Sequence, residues 1–485
     1  MNQYQQLNKS FINGKWVDGT EDTTIEMHNP YNMDVLAKVR IASLDQVNEA
    51  FYGAREAQTA WGKNAALRKK VMEKAIQYFK NHKADIMEIL TLESGSTTVK
   101  ANLEFDLTTG VMEEALTMVD KIGKFEEKTS MIPDKINENY RLPKGVFSSI
   151  APFNFPLYLS MRTIAPALAL GNSIVHKADL QCGLVSGSVV AKAFEEAGMP
   201  SGVFQSLLTT PDATGDAMFN HEAANLVSFT GSTPVGRRIG KVAGEQLKSM
   251  SLELGGNAPF CVLSDADIDK AVDAAIFGKY LHQGQICMMT NRFIVHEDVY
   301  DSFVDKFVAR SKEVKHGDPR DPDVIIGPLI NEEQMEKSLN NIQKAKDAGY
   351  DILLEGEQIG NILTPTVIGN VEHDSDLTQT EMFSTIALII KASSDDDIIA
   401  KANDTEFGLS SAIFSKDEEK ARKYAMELEF GMTHINDQPV NDEPTAMFGG
   451  MGQSGIGRFG NPYVIDEFTE GKWISVQKRA REFPF

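Results

Sequence analysis

Apolar positions recur at two different periods along the chain, and the changes of period mark its organisation. The first 50 residues alternate over short stretches, FINGKWVDG and TIEMHNPYN, which predict brief strands and turns. Over residues 44–119 the spacing lengthens to three and four. AALRKKVMEKAIQYFKNHKADIMEILTLESG carries the apolar stripe of an amphipathic helix. Residues 121–143 break the pattern: they are charged, poorly periodic and turn-rich, and predict a hairpin leaving the domain or a linker.

An α/β rhythm follows. GVFSSIAPF and NSIVHKA read as buried strands, and residues 182–197 as a helix ended by Gly198 and Pro200. FQSLLTT and NLVSFTG are further strands, and PVGRRIGKVAGEQ is a helix leading to SLELGG. The second half repeats the rhythm. Helices are predicted over 265–281, 299–314, 331–348 and 416–430, and strands at RFIVH, TPTVIGNV, ALIIKAS and MTHIND. The glycine-rich run FGGMGQSGIGRFG closes it. Strands alternating with helices imply βαβ units and mainly parallel sheets, so the fold class is α/β with two consecutive domains.

Composition narrows the function. The chain has 485 residues, enough for two to four domains, and a net charge of −21. That charge argues against nucleic acid or an anionic membrane as partner, since both select Lys and Arg. The most apolar stretch, residues 163–175, is broken by Pro166 and Gly171–Asn172 and falls short of the roughly 20 apolar residues of a membrane helix. The N-terminus has no apolar core of a secretory signal. Three cysteines, Cys182, Cys261 and Cys287, make no disulfide framework, and no Cys/His spacing suits a metal. A reducing cytoplasm and no metal are therefore expected.

Several segments offer chemistry. Gly455–Gly460 fits GxGxxG literally, but it lies near the end of the chain with no following helix expected, so a dinucleotide fingerprint there is rejected. Gly231–Gly236 follows the strand NLVSFT, and Pro234 sits in what would be a first helical turn. A diphosphate site at a helix N-terminus and a plain tight turn fit equally. Cys182 and Cys261 read as packing thiols, whereas Cys287, in HQGQICMMTNR, lies in a turn where a thiol can be exposed and activated, a buried structural thiol fitting equally. Glu253, in LELGG, is an acid in an apolar strand. Burial would raise its pKa towards that of a general base, while an edge position would leave it a solvated acid. Asn154, in APFNFP, is an oxyanion donor or a turn cap.

Taken in order and spacing, APFNFP, FTGSTPVG, LELGG, GQICMMTNR, EMF and the final FGG…SGIGRFG closely resemble the NAD(P)-dependent aldehyde dehydrogenase superfamily. The resemblance spans essentially the whole chain, and LELGG with GQIC 34 residues beyond is specific as a pair. It implies a Rossmann-like cofactor domain at 1–120 and 144–252, a catalytic domain at 253–461, and a small β oligomerisation flap at 121–143 and 462–485. It implies Cys287 as nucleophile, Asn154 with the Cys287 N–H as oxyanion donors, and Glu253 as the base that activates water. It implies cofactor contacts at Lys177 to the adenosine ribose, Gly231, Ser232 and Gly236 at the diphosphate, Glu381 at the nicotinamide ribose and Phe383 against the nicotinamide. A homodimer or homotetramer is expected with it.

Departures from the family pattern carry expectations of their own. The Glu that many members hold three residues after the lysine is replaced by Leu180, beside Asp179, so NADP is expected to be tolerated alongside NAD. FSTI stands at 383–386 where FGPV is usual, so the backbone beside the nicotinamide should differ, and Phe153 replaces a common Trp. The run HINDQPVNDEPTAMFGG is similar to that of benzaldehyde and vanillin dehydrogenases, and Met288 and Met289 would give a flat ring adaptable apolar surface. An aromatic aldehyde is therefore expected. The alternative is a medium-chain aliphatic aldehyde or a semialdehyde, for which Arg162 and Arg292 are the candidate cations. A CoA-acylating enzyme would generally lack Glu253, and a non-catalytic binding protein would lack Cys287, Glu253 or Asn154.

Overall fold

The structure, a computed structural model, describes residues 7–485. Eight strands form the first sheet, in the order Lys15–Val17, Ser10–Ile12, Phe204–Leu207, Ser173–Lys177, Val146–Ile150, Ala224–Thr230, Ser249–Glu253 and Gly455–Ile456. The five middle strands are parallel, and the neighbours at each end join antiparallel. The parallel strands are nearly continuous apolar runs such as SIVHK, as burial on both faces requires. Numbered along the chain they stand 3-2-1-4-5, so the order reverses between Val146–Ile150 and Ala224–Thr230. A reversal of this kind opens a crevice beyond the carboxyl ends of the strands, where ligands bind in open α/β sheets.

Helices cover this sheet. The stretch predicted over 44–119 resolves into Leu44–Lys63, Ala65–Asn81, Lys83–Ser94 and Thr98–Met118. Ser43 starts the first with a reciprocal capping box to Gln46. Pro156–Ala169 is buried along its whole length, which explains why PLYLSMRTIAPALA has no polar face. The Glu104 carboxylate accepts the Leu157 and Tyr158 N–H groups at its N-terminus, at 2.9 and 3.1 Å.

The second sheet has seven strands, in the order Asp351–Leu354, Thr366–Gly369, Ile386–Ala392, Thr290–His296, Ala258–Val262, Ser410–Phe414 and Met432–Ile435. Only the Asp351–Leu354 edge is antiparallel. The segment left open as hairpin or linker is a hairpin, Phe125–Thr129 with Lys135–Pro143, and Thr469–Gln477 completes it as a three-stranded antiparallel sheet. Among the described residues no helix is long and apolar enough to cross a membrane.

Three local expectations need correction. Residues 182–197 are not one regular helix: a 3-10 turn at Leu180–Cys182 and a π-helical turn at Leu184–Ser188 precede the α-helix Val189–Ala197. The buried Glu93 carboxylate takes the Leu184 and Val185 N–H groups at 2.9 and 2.8 Å, which satisfies donors at the irregular turn. A helix does follow Gly460, at Tyr463–Phe468, and it buries Val464, Ile465 and Phe468 against the core. Gly455–Ile456 is an edge strand of the first sheet, pairing with Leu252 and Glu253. It therefore returns from the range read as the second domain, and it makes no phosphate loop.

Candidate active site

The loop carrying Cys287 is held from outside. Beyond helix Ile268–Tyr280 the chain takes three successive left-handed residues, His282 (φ 50°), Gln283 (φ 57°) and Gly284 (φ 72°). The first two pay a steric penalty that glycine would avoid, a cost accepted where surroundings over-determine the backbone. A Cβ on Gly284 would lie 2.2 Å from the Ser384 carbonyl oxygen, so only glycine lets the loop close there. The Gln283 amide donates to the Pro328 carbonyl at 2.7 Å, and Gln285 Oε1 accepts the Ile330 N–H at 3.0 Å. The two glutamines of the motif are thus tethers of the loop.

Motifs far apart in sequence dock on this loop. The second glycine of LELGG, Gly256, packs so closely that a Cβ would stand 2.1 Å from the Cys287 carbonyl oxygen. Its N–H donates to Glu381 Oε1 at 3.0 Å. The neighbouring Asn257 accepts from Asn291 Nδ2 at 2.6 Å, and Asn291 Oδ1 accepts the Met382 N–H at 2.9 Å. Asn154 donates from Nδ2 to the Gln285 carbonyl at 2.9 Å and accepts the Phe155 N–H at 3.0 Å. The Asn154 side chain also lines the cavity at Cys287. Phe383 takes a left-handed φ of 51°, and Gln334 Nε2 donates to its carbonyl at 2.9 Å.

The electrostatics differ from the expectation for Cys287. Burial pushes its thiol up to about 12, and the negative charges of Glu381 and Glu253 add to the effect. The turn alone does not activate it; the thiol is protonated near pH 7. Glu253 is buried, neither carboxylate oxygen has a hydrogen-bond partner, and burial lifts it to about 7 against the opposing charge of Arg162. Glu381 is likewise raised to about 7 by burial, with the Gly256 N–H opposing.

Two cavities meet at Cys287, Asn154 and Leu159. One, of about 150 Å³, is walled mainly by apolar side chains, Leu103, Leu107, Phe155, Phe277, Met288 and Phe448 among them. Its polar groups are few, and Arg162 with Asp442 is the charged pair, bridged at 3.0 Å. Met289 does not line this cavity as expected: it is buried, with its sulfur 3.2 Å from Lys279 Nζ. Arg292 is not a substrate cation either, because it is buried and donates to the carbonyls of Asn257, Lys401 and Ala402.

The other cavity, of about 220 Å³, lies at the reversal of the first sheet and takes in Gly231, Ser232, Glu381 and Phe383. Ser232 is the N-cap residue of helix Thr233–Glu245 but makes no side-chain cap bond. A free hydroxyl at a helix N-terminus is a group that can bind an anion. Together with the carboxylate of Glu381, these donors and acceptors suit a dinucleotide. Lys177 ends the neighbouring strand, paired with Ile150, and burial holds its amine below the usual range. Gly236 is not brought into the cavity. Its missing Cβ would stand 2.3 Å from Leu254, so it serves close packing of helix on strand. Gln334 and Lys337 line the cavity and were not singled out in the sequence, since an amphipathic helix gives no sign that one polar residue faces a site.

The chain belongs to the aldehyde dehydrogenase family, whose model matches residues 16–474. It is an NAD(P)-dependent oxidoreductase acting on aldehydes. It is 40% identical over 487 residues to the benzaldehyde dehydrogenase YfmT of Bacillus subtilis, covering 100% of both chains. It is 41% identical over 474 residues to a vanillin dehydrogenase of Corynebacterium glutamicum, covering 97% of this chain and 98% of that one. Among solved structures, betaine aldehyde dehydrogenase of Staphylococcus aureus in complex with NAD+ is similar at a TM-score of 0.95 and 31% identity, over 100% of this chain and 98% of that one.

Proposed function

We propose that this protein oxidises an aromatic aldehyde to the carboxylic acid, through a covalent thioester on Cys287. The observation that carries the reading is the meeting of an apolar cavity and a second cavity, at the head of the first sheet, on one cysteine. A cavity of about 150 Å³ lined by Leu, Ile and Phe is large enough for a benzene ring. The likeness to a benzaldehyde and a vanillin dehydrogenase supports the same substrate class.

Cys287 attacks the aldehyde carbon as thiolate, and the growing oxyanion takes hydrogen bonds from Asn154 Nδ2 and the Cys287 N–H. The nicotinamide, when bound, supplies the hydride acceptor. Ser232 and the first turn of Thr233–Glu245 would hold the diphosphate of the bound dinucleotide, Lys177 its adenosine ribose, Glu381 its nicotinamide ribose, and Phe383 would face the nicotinamide. Glu253 then takes a proton from water, which hydrolyses the thioester without CoA. Burial holds the Cys287 thiol near 12, so its proton must pass to solvent through the cavities it lines before it attacks.

A panel of benzaldehyde, vanillin, hexanal and succinic semialdehyde, assayed without CoA, tests the substrate. An aromatic aldehyde should exceed hexanal by about tenfold or more in kcat/KM, a difference of roughly 1.4 kcal/mol. A preference for succinic semialdehyde would overturn the aromatic reading. The same assay tests the cofactor. Asp179 is half-buried and its carboxylate accepts the Gln181 N–H at 2.9 Å, while position 180 is Leu. Position 180 thus holds no carboxylate against a 2′-phosphate, that of Asp179 being displaced and engaged by Gln181, and kcat/KM with NADP should lie within about a thousandfold of NAD, roughly 4 kcal/mol.

The assembly is read as a homodimer or homotetramer formed through the three-stranded flap. Phe125, Trp473 and Ile474 are exposed on it, an apolar surface out of place against water. Trp473→Glu should lower the mass measured by light scattering, and an unchanged mass would place the interface elsewhere. Three free thiols, one of them needed as a nucleophile, fit a reducing cytoplasm.

A further inference from the structure

Helix Pro156–Ala169 begins two residues after Asn154, and its start is capped from outside. Phe155, at the N-cap position, offers no side-chain cap, and Pro156 has no N–H to satisfy. The next two N–H groups, of Leu157 and Tyr158, both donate to Glu104 Oε1, at 2.9 and 3.1 Å. Glu104 belongs to a different helix, Thr98–Met118, and is buried. Its other oxygen is held by the amine of Lys100, one turn earlier and equally buried. That amine also donates to Ser96 Oγ at 2.9 Å and lies 4.3 Å from the centroid of the Phe155 ring. The same ring meets His282 of the Cys287 loop, edge to face, with centroids 5.8 Å apart.

A buried ion pair is costly to desolvate and is weak evidence of a gain in stability. This one is better explained by its effect on Asn154. Asparagine is among the best N-cap residues, and beside a helix start with open N–H groups its side chain can turn onto them. Here those donors are already taken by Glu104. The Asn154 side chain instead accepts the Phe155 N–H at 3.0 Å and donates at 2.9 Å to the carbonyl of Gln285, two residues before the nucleophile. It thereby lines the cavity that Cys287 also lines. We propose that Glu104, held by Lys100, is a positioning residue for Asn154: by capping helix Pro156–Ala169 from a neighbouring helix, it keeps the Asn154 amide turned towards Cys287. The proposal rests on the reading of Asn154 as oxyanion donor. Lys100 fixes the carboxylate and, through the ring it faces, the one residue between Asn154 and the helix.

Two variants that differ only in the cap test it. Lys100→Met/Glu104→Gln removes both charges but keeps a side-chain oxygen for the two N–H groups. Lys100→Met/Glu104→Met removes that oxygen too, at similar volume. Replacing both members of a buried ion pair commonly leaves a fold intact. The rate of the burst of reduced cofactor is measured at saturating concentration of the preferred aldehyde of the panel, together with KM and cofactor binding, with and without Asn154→Ala. The glutamine variant should stay within about threefold of wild type, because the cap survives. The methionine variant should lose about tenfold or more in burst rate, a part of the roughly 10²–10³-fold that one oxyanion donor supplies, with KM and cofactor binding within about threefold. Added to Asn154→Ala it should cost less than about threefold further, since the donor it positions is already gone. If the methionine variant does not fold, Glu104→Leu in the same background takes its place. Equal burst rates in the glutamine and methionine variants, or a fall that adds in full to that of Asn154→Ala, overturn the proposal alone. So does a rise in KM without a fall in burst rate, which would mark a shift of the helix whose Leu103 and Leu107 line the aldehyde cavity. An unchanged burst rate in Asn154→Ala overturns the reading of Asn154 and the proposal with it.

Discussion

Cys287→Ala is expected to lower kcat for aldehyde oxidation by at least about 10⁴-fold while leaving dinucleotide binding measurable by cofactor fluorescence. The argument has two parts. No other thiol can take over: Cys182 and Cys261 are buried, and burial pushes Cys182 well above the usual thiol range and Cys261 up to about 12. The substitution also removes little packing, since Cys287 sits where the two cavities join, so a lost fold is not the expected cause of lost activity. The Cys287 backbone carbonyl still meets Gly256, and Gln285 still accepts from Asn154, so both cavities keep their shape. A variant that still turns over at a tenth of the wild-type rate would remove Cys287 as nucleophile. A variant that loses both activity and cofactor binding would point to collapse of the loop, which Cys287→Ser would separate.

The groups that line up in the motifs were legible because each motif sits at a forced piece of backbone. LELGG needs its second glycine for the approach to Cys287, and GQIC needs Gly284 to pass Ser384. Such positions accept no other residue, so they leave a mark in the chain. The α/β rhythm was legible for the same reason, since buried parallel strands are continuously apolar. What stayed hidden depends on pairing across the fold. Arg162 is one arginine on a helix with no polar face, and only its contact with Asp442, 280 positions away, reveals the charged pair in the cavity wall. Cys287 is half-buried where the two cavities join, as a thiol in a turn can be, but its proton is held by the surrounding burial, which no local pattern reveals. The π turn at Leu184–Ser188 was invisible because it answers a carboxylate, Glu93, from a helix 91 residues earlier.

Glu253→Gln is expected to separate the two halves of the reaction. Hydride transfer requires no base at this position, so one equivalent of reduced cofactor should still form in a burst. Hydrolysis does require it, and removing a general base costs about 10²–10⁴-fold, so steady-state kcat should fall by that factor. The pH dependence gives a second reading. Burial holds the wild-type Glu253 at about 7, with Arg162 opposing, and the base acts only when ionised. Below about 7 its ionised fraction falls tenfold per pH unit, and kcat should fall with the same slope; above 7 it should level off. In Glu253→Gln no carboxylate titrates there, so the residual rate should lose that limb. The glutamine has nearly the same volume and meets the same walls, so its effect reports on the proton and not on packing. Added hydroxylamine, which cleaves thioesters without a base, should restore turnover in the variant towards the rate of the burst. If it does not, the stalled species is no thioester on Cys287, and the site must act on its aldehyde by another covalent route.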